Sequence, residues 1–389
     1  MNIGKELIFT LFIFYWSVYS AIVIIYLNIL TKKYLKYNNR DSQIGDKKLI
    51  DYYSLQEKYK DRDELNILVL TGGGVRGLIP LKTLSHIEKV LGKPVGELFD
   101  FFSGSSTGAI SALSFSIGNE SGGYKYSATY LYENYIPLIK KIFYSPFYHQ
   151  YLAFFGLFAP RYLPDNKIKV LESFCGDQTI GELKSNILIP VYNIDKNILQ
   201  IVKNWSSPIG ETNENYLAKD LINGASSPPM LFSPVSFKLK GKNFLFIDPS
   251  VVISNPVLHV AMQVKSLFPN KKLNIVLIGN GGVGTIKYDY RSMFGFGLYG
   301  VYQYLFSASS LNNKLYQDFM DEYFKEEQLF SNMITYTNIS IYPKKFISPS
   351  STSETNIKKV RICAELMLKE NKEKVQKVIE ILKKTHPTP

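Results

Sequence analysis

Ser106 stands at the centre of Gly104-Ser105-Ser106-Thr107-Gly108, a Gly-x-Ser-x-Gly array set between an apolar run ending at Phe102 and a small-residue, apolar pattern beginning at Ala109. These types at this spacing suit a nucleophile elbow, where a strand turns sharply into a helix and leaves the central hydroxyl exposed at the tip. Gly104 and Gly108 would relieve crowding there and let neighbouring backbone come close. Five residues do not by themselves separate catalysis from an ordinary turn. A reactive serine also needs donors for a developing oxyanion and a base for its proton.

Candidate donors lie in Thr71-Gly72-Gly73-Gly74-Val75-Arg76-Gly77. This loop follows the aliphatic run Asn66-Ile67-Leu68-Val69-Leu70 and precedes Leu78, Leu81, Leu84, Ile87 and Leu91 at helical spacing, which reads as strand, glycine loop, helix. Two chemistries compete for it. Gly72, Gly74 and Gly77 fit Gly-x-Gly-x-x-Gly, so a dinucleotide pyrophosphate on the helix N-terminus must be weighed. That fingerprint also wants an acidic residue at the end of the second strand. Here Asp100 comes before Phe101-Phe102, and Gly104-Ser105-Ser106 occupies the place of the acid. The other chemistry is an oxyanion hole built from amides of Gly73, Gly74 or Val75, which needs a nucleophile one strand away, as Ser106 would be. Arg76 is expected to hold the loop, to meet an anionic head group or to stand in solvent.

For the base, Asp248 closes the strand-like run Phe244-Leu245-Phe246-Ile247. Open α/β sheets place their chemistry at such strand ends. Only His86, His149, His259 and His386 are available to a mechanism that needs histidine. His86 and His259 fall in helical patterns and read as packing or surface residues. A histidine-dependent α/β-hydrolase stays open as a rival.

The elements that would position these residues alternate along the chain. Further strands are expected at Ile187-Leu188-Ile189-Pro190-Val191-Tyr192, Leu199-Gln200-Ile201-Val202 and Ile275-Val276-Leu277-Ile278, with helices ending near Ala225 and starting at Asn255-Pro256. This predicts one α/β domain without internal repeats. Aromatic residues crowd between 130 and 162, including Tyr144, Phe147, Tyr148, Tyr151, Phe154, Phe155 and Phe158; core packing is the expectation, a lid or acyl groove the alternative. A second aromatic patch spans 294–306. Residues 358–384 read as one basic amphipathic helix with Ile362, Leu366, Val375, Ile379 and Leu382 as its apolar stripe.

Residues 7–30 carry no charge and are long enough to cross a bilayer. An uncleaved anchor is the favoured reading over a signal peptide, because the apolar run continues past Ser20-Ala21. Lys32, Lys33, Lys36 and Arg40 follow it against Lys5 before it, which points to a single-pass anchor with the main domain on the cytoplasmic side; a cleaved signal would instead give a secreted protein. The expected division is 1–36 anchor and basic flank, 37–64 linker and 65–389 catalytic domain, with core motifs at 70–283 and C-terminal helices at 286–389.

The formal charge of +12 over 389 residues would suit an anionic membrane surface. No zinc spacing or RNA-binding motif accompanies it, so no nucleic-acid partner is expected. Cys175 and Cys363 are far apart and read as buried, unpaired thiols. Neither a metal nor a cofactor is called for.

Taken in order, the glycine loop 72–77, the elbow 104–108 and the strand-end aspartate resemble the patatin-like phospholipases, whose oxyanion loop is Gly-Gly-Gly-x-Arg/Lys-Gly and whose elbow is Gly-x-Ser-x-Gly. Phe99-Asp100, Gly176-Asp177-Gln178-Thr179, Ala225-Ser226-Ser227 through Pro229 and Asn255-Pro256 extend the similarity over about 65–283. The resemblance implies a three-layer α/β/α sandwich with a mainly parallel central sheet behind a transmembrane helix. It also implies a Ser-Asp dyad without histidine: Ser106 as nucleophile, Asp248 as general base and acid, and Gly72, Gly73, Gly74, Val75, Arg76 and Gly77 as the oxyanion loop. The activity implied is a phospholipase A-type lipid acyl hydrolase acting on phospholipid or another lipid ester at a membrane. One departure stands out. The family usually carries Asp-Gly-Gly or Asp-Gly-Ala where this chain has Asp248-Pro249-Ser250. Proline fixes φ near about −65° and removes an amide, and this motivates the alternative of a catalytically weak, membrane-bound lipid-binding or scaffold protein.

Overall fold

The computed structural model describes residues 3–38, 42, 47–156, 158–207, 214–253, 255–281 and 333–386. The expected aromatic patch at 294–306 lies outside them. Its framework is a sheet in the order β5-β6-β3-β2-β1-β7-β8, with β4 paired to β3 off that path. Strands β1 (Glu64–Leu70), β2 (Phe101–Gly104), β3 (Asn186–Asn193), β7 (Lys272–Ile278) and β8 (Ile334–Ile339) run parallel. Strands β4 (Ile198–Lys203), β5 (Val235–Leu239) and β6 (Lys242–Ile247) add antiparallel pairs on the β3 side.

β1 is the middle of the domain because both of its faces are apolar, the mark of a strand covered on both sides. Alternate residues feed separate cores, as the period of two requires. Leu68 and Leu70 join Val75, Leu84, Phe102, Phe115 and Leu221 on one face. Leu65, Ile67 and Val69 join Leu55, Phe101, Trp205, Val260 and Leu277 on the other. Helices α3 (Leu78–Leu91), α5 (Thr107–Ser116), α6 (Ala128–Ile142), α8 (Pro164–Cys175) and α9 (Ala218–Ala225) cover the first face; α2 (Tyr52–Lys58) and α10 (Val257–Leu267) cover the second. The remaining helices before α10 are α1 (Ile3–Asn38), α4 (Val95–Leu98) and α7 (Phe147–Leu152). This is the expected α/β/α sandwich. Cys175 and Cys363 are buried and unbridged in it.

Two expectations fail. The C-terminal amphipathic stretch forms two helices, α11 (Glu354–Glu370) and α12 (Lys372–Thr385), meeting at Asn371. Ile362 and Leu366 fall on the opposite side of the helix axis from Val375, Ile379 and Leu382, so α11 buries Ile357, Val360, Cys363 and Met367 while Ile362 and Leu366 stay exposed; only Val375, Ile379 and Leu382 of the expected stripe are inside. The aromatic segment after α6 is likewise not core. Tyr144, Phe147, Tyr148, Tyr151, Phe154 and Phe158 are all exposed. Part of that segment packs on α1 instead: Tyr19 stacks edge-on against Tyr151, and the Tyr26 hydroxyl meets His149 Nδ1 at 2.5 Å. α1 holds the one helical segment among the described residues that is long and apolar enough to cross a membrane, Leu11–Lys32, with a mean hydropathy of 1.8.

The elbow helix α5 enters the sheet unusually close. At Gly108 an added Cβ would lie 2.9 Å from the Leu70 carbonyl carbon. Gly108→Ala is therefore expected to cost about 1–3 kcal/mol of stability, as overpacking does, seen as a lower thermal midpoint. Gly118→Ala, whose Cβ would meet nothing nearer than 3.7 Å, should change stability by less than about 0.5 kcal/mol.

Candidate active site

Three parallel strands end level with one another. Leu70 of β1 is paired with Gly104 of β2 on one side and Ile278 of β7 on the other. The loops that follow, at 71–77, 105–106 and 279–281, therefore open side by side at the carboxyl edge of the sheet. At the tip of the middle loop Ser106 has φ 53° and ψ −125°, a conformation side chains other than glycine rarely adopt. It caps the N-terminus of α5. Ser105 N donates to Leu70 O (3.2 Å), Ser106 N to Ala225 O (3.1 Å) and Gly108 N to Ser105 O (2.8 Å), so the turn is held from both sides.

The glycine loop lies directly against this tip. A Cβ on Gly72 would come within 2.5 Å of Ser106 Cβ. Most of the loop amides are already committed. Gly72 N donates to Ser105 Oγ (3.0 Å) and Gly73 N to Thr107 Oγ1 (3.2 Å). Val75 N donates to Pro349 O (2.8 Å), which removes it from the expected oxyanion set. Of the glycine-loop and elbow amides, those without an acceptor among the described residues are Gly74, held at φ +56°, and Thr107, which follows Ser106. Arg76 is buried and turned back on the loop, its Nε reaching Gly73 O at 3.4 Å. Burial lowers its pKa to about 10 against the opposing pull of Cys363 and Tyr135.

Asp248 arrives from the far side. β3 runs on past its last pairing with β2, and β6 returns antiparallel beside that overhang, Ile247 facing Tyr192. The next residue thus drops back toward Ser106. Asp248 is 1% exposed, its N donating to Ser227 O (3.1 Å) and its Oδ1 accepting from Ser250 N (2.9 Å). Pro249–Val251 is a short 3₁₀ turn that Asp248 caps. Burial raises the carboxyl pKa, while the Ser106 hydroxyl, Ser250 and the charge of Lys167 pull it down. Oδ2 has no closed hydrogen bond among the described residues. Contacts of this kind are often loose without substrate.

Sequence reasoning missed Lys167. This lysine of α8 is 1% exposed, and it donates to Asn223 O (2.9 Å), Ser226 O (2.7 Å) and Ser227 Oγ (2.7 Å), all three protons being used. Burial lowers its pKa well below the usual lysine range, with Asp248 opposing. A signal was present: Lys167 shares one helical face with Val170, Leu171 and Phe174, where a lone lysine in an apolar stripe is out of place.

A cavity of about 90 Å³ joins these parts, lined by Gly72, Gly73, Gly74, Arg76, Ser106, Thr107, Lys167, Ser250 and Asn280 on its polar side and by Phe143, Phe232 and Ile341 on its apolar side. Val75, Gly77, Gly104 and Gly108 support the walls without lining them, and Asp248 lies behind Ser106. No histidine is among the described residues that line it. The described residues also hold no cluster of His, Cys, Asp or Glu fit for a metal.

The profile of the patatin-like phospholipase family matches residues 68–262, half of the chain. The chain belongs to this family. Similar proteins include Patatin-like protein 4 of Arabidopsis thaliana, 27% identical over 58% of this chain and 61% of that protein. The cGAMP-activated phospholipases of Vibrio cholerae and Pseudomonas aeruginosa are each 28% identical, over 71% and 67% of this chain and 82% and 77% of theirs. VipD of Legionella pneumophila is a solved structure matched over 79% of this chain and 67% of its own, with a TM-score of 0.33 and 14% identity. Membership of this family supports lipid hydrolysis as the activity class.

Because the Lys167 charge holds the Asp248 carboxyl down, its loss should let burial push that carboxyl further up. In Lys167→Met the acid limb of kcat/KM for ester hydrolysis is expected to move to higher pH, since the ionised carboxylate is then lost earlier as pH falls. Lys167→Arg, which keeps a cation there, should leave the limb nearer the wild-type position.

Proposed function

We propose that this patatin-like protein is a phospholipase A-type lipid acyl hydrolase working through Ser106 and Asp248. The observation that carries the reading is a strained serine and two uncommitted backbone amides at one cavity, with a buried carboxylate behind the serine. Ser106 Oγ attacks the acyl carbonyl carbon as Asp248 takes its proton. The amides of Gly74 and Thr107 receive the charge that develops on the carbonyl oxygen. Collapse of the tetrahedral intermediate returns the proton from Asp248 to the leaving alcohol and leaves Ser106 acylated. Water, deprotonated by Asp248, then attacks the acyl-enzyme, and the fatty acid departs with Ser106 restored.

Asp248-Pro249-Ser250 is compatible with this role. Proline suits the first position of a helical turn, where its missing N–H would have no partner, and Ser250 supplies an amide to the carboxylate. This fit argues against the scaffold alternative that Pro249 motivated, and the vesicle assay below decides between the two. A membrane-lipid substrate is supported by the apolar run of α1 and the exposed aromatic segment, part of which lies on it, and the basic residues that follow that run, Lys32, Lys33, Lys36 and Arg40, favour a cytoplasmic domain.

Purified full-length chain incubated with mixed phospholipid vesicles should release fatty acid. Ser106→Ala and Asp248→Ala should each lower the rate by at least about 10³-fold, and Gly74→Ala by about 10² to 10³. Release that persists in Ser106→Ala overturns the mechanism. Two similar bacterial proteins are named for activation by cGAMP, so each assay is run with and without it; release seen only with cGAMP would extend that control to this chain.

A further inference from the structure

We infer that the acyl chain of the substrate runs along α5 into a second, apolar cavity between α3, α5, α6 and α8; the inference rests on the acyl-hydrolase reading of Ser106. This cavity, of about 30 Å³, adjoins the first and shares Thr107, Ile110, Ile139 and Ile142 with it. Beyond those shared residues its walls include Leu131, Tyr135, Ser114 and Phe174.

The direction follows from the helix that begins at the nucleophile. Thr107, Ile110, Ser111 and Ser114 line the cavity at spacings of three and four, so they form one face of α5. From Thr107 to Ser114 that face extends about 10 Å away from Ser106. On α6, Leu131, Tyr135, Leu138, Ile139 and Ile142 make the facing stripe. The small side chains of Ser111 and Ser114 are what leave space between the helices.

The chemistry of the lining selects the ligand. Ser111 Oγ donates to Thr107 O (3.2 Å) and Ser114 Oγ to Ile110 O (2.8 Å), both satisfied on their own helix. The Tyr135 hydroxyl is spent on Gly74 O at 2.5 Å. A head group would find no unused polar partner here, whereas an aliphatic chain needs none. The charged and polar groups, Arg76, Lys167, Ser250 and Asn280, all belong to the other cavity. Since one water-sized group takes roughly 10–15 Å³, the inner cavity admits about two or three methylenes as it stands. An acyl carbon held at Ser106 must send its chain somewhere, and the apolar partition of Ile110, Ile139 and Ile142, which begins beside it, is the side on which only apolar space follows.

The probes are p-nitrophenyl butyrate and p-nitrophenyl decanoate, turned over by the full-length chain. Burying a methylene is worth about fourfold, so Ser114→Leu, which fills the inner end, should lower the decanoate-to-butyrate ratio of kcat/KM by about tenfold. Phe174→Ala, which deepens it, should raise that ratio, an outcome misfolding cannot imitate. A ratio that stays within about twofold of wild type in both variants overturns the inference. Decanoate binding to Ser106→Ala, with and without Ser114→Leu, is followed by calorimetry and needs no turnover. If the wild type, with or without cGAMP, hydrolyses neither ester and releases no fatty acid from vesicles, the hydrolase reading fails, and the cavity is judged by this binding: weakening by Ser114→Leu supports the acyl site, and unchanged binding overturns it.

Discussion

The backbone of Ser106 is the constraint on which the rest of the structure depends. A non-glycine residue at φ 53° and ψ −125° costs on the order of 1–3 kcal/mol and persists only where its surroundings over-determine it. Here they do so through three separate elements. β1 fixes the residue before it through Leu70 O, α9 fixes its amide through Ala225 O, and the packing of Gly108 on Leu70 sets where α5 can start. A relaxed turn would break the first two bonds and push α5 away from the sheet. The strain is therefore a property of the strand ends, and the glycine loop, which meets Ser106 at Gly72, inherits its position from the same ends.

Lys167 connects that constraint to the carboxylate. Its three hydrogen bonds gather Asn223, Ser226 and Ser227, the stretch that also supplies Ala225 O to Ser106 and Ser227 O to Asp248. One ammonium group thus ties together the acceptors that hold both proposed catalytic residues. Placing a charge there is expensive unless every proton has a partner, and each of them does. The nearby carboxylate offsets part of the cost. An aspartate and a lysine buried at the same site perturb one another in opposite senses, and the balance keeps the carboxyl from rising as far as burial alone would take it.

Much of this was legible in the chain because parallel sheets write their pattern locally. The aliphatic run before Gly72, the small residues after Ser106 and the run ending at Asp248 each announce an element without reference to distant contacts. What escaped was set by tertiary contact. Val75 looks equivalent to Gly73 and Gly74 in sequence, and only the approach of Pro349, more than two hundred residues away, takes its amide out of use. The exposed aromatics at 144–158 read as core by composition, yet part of them lies against α1, and no local period distinguishes one apolar partner from another. Ile362 and Leu366, by contrast, were misplaced by a stripe that does not keep the helical period: they lie across the axis from Val375, Ile379 and Leu382, and the buried face runs in phase from Ile357, Val360 and Met367 through Asn371 to Val375 and Leu382.

The Asp-Pro-Ser sequence shows how a departure from a family's usual residues can preserve a geometry. Two glycines after the aspartate would allow the turn by freedom; proline and serine reach it by restriction. Asp248 is the cap of the 3₁₀ turn and Pro249 is its first residue, where a fixed φ is already correct and no amide is needed. The amide that the carboxylate does need comes from Ser250, one residue on, at 2.9 Å. Proline also narrows the unfolded ensemble of this loop. The aspartate is thereby held by its backbone to Ser227 and by its side chain to Ser250 before any substrate arrives, so the residue that broke the sequence pattern belongs to what keeps the carboxylate in place.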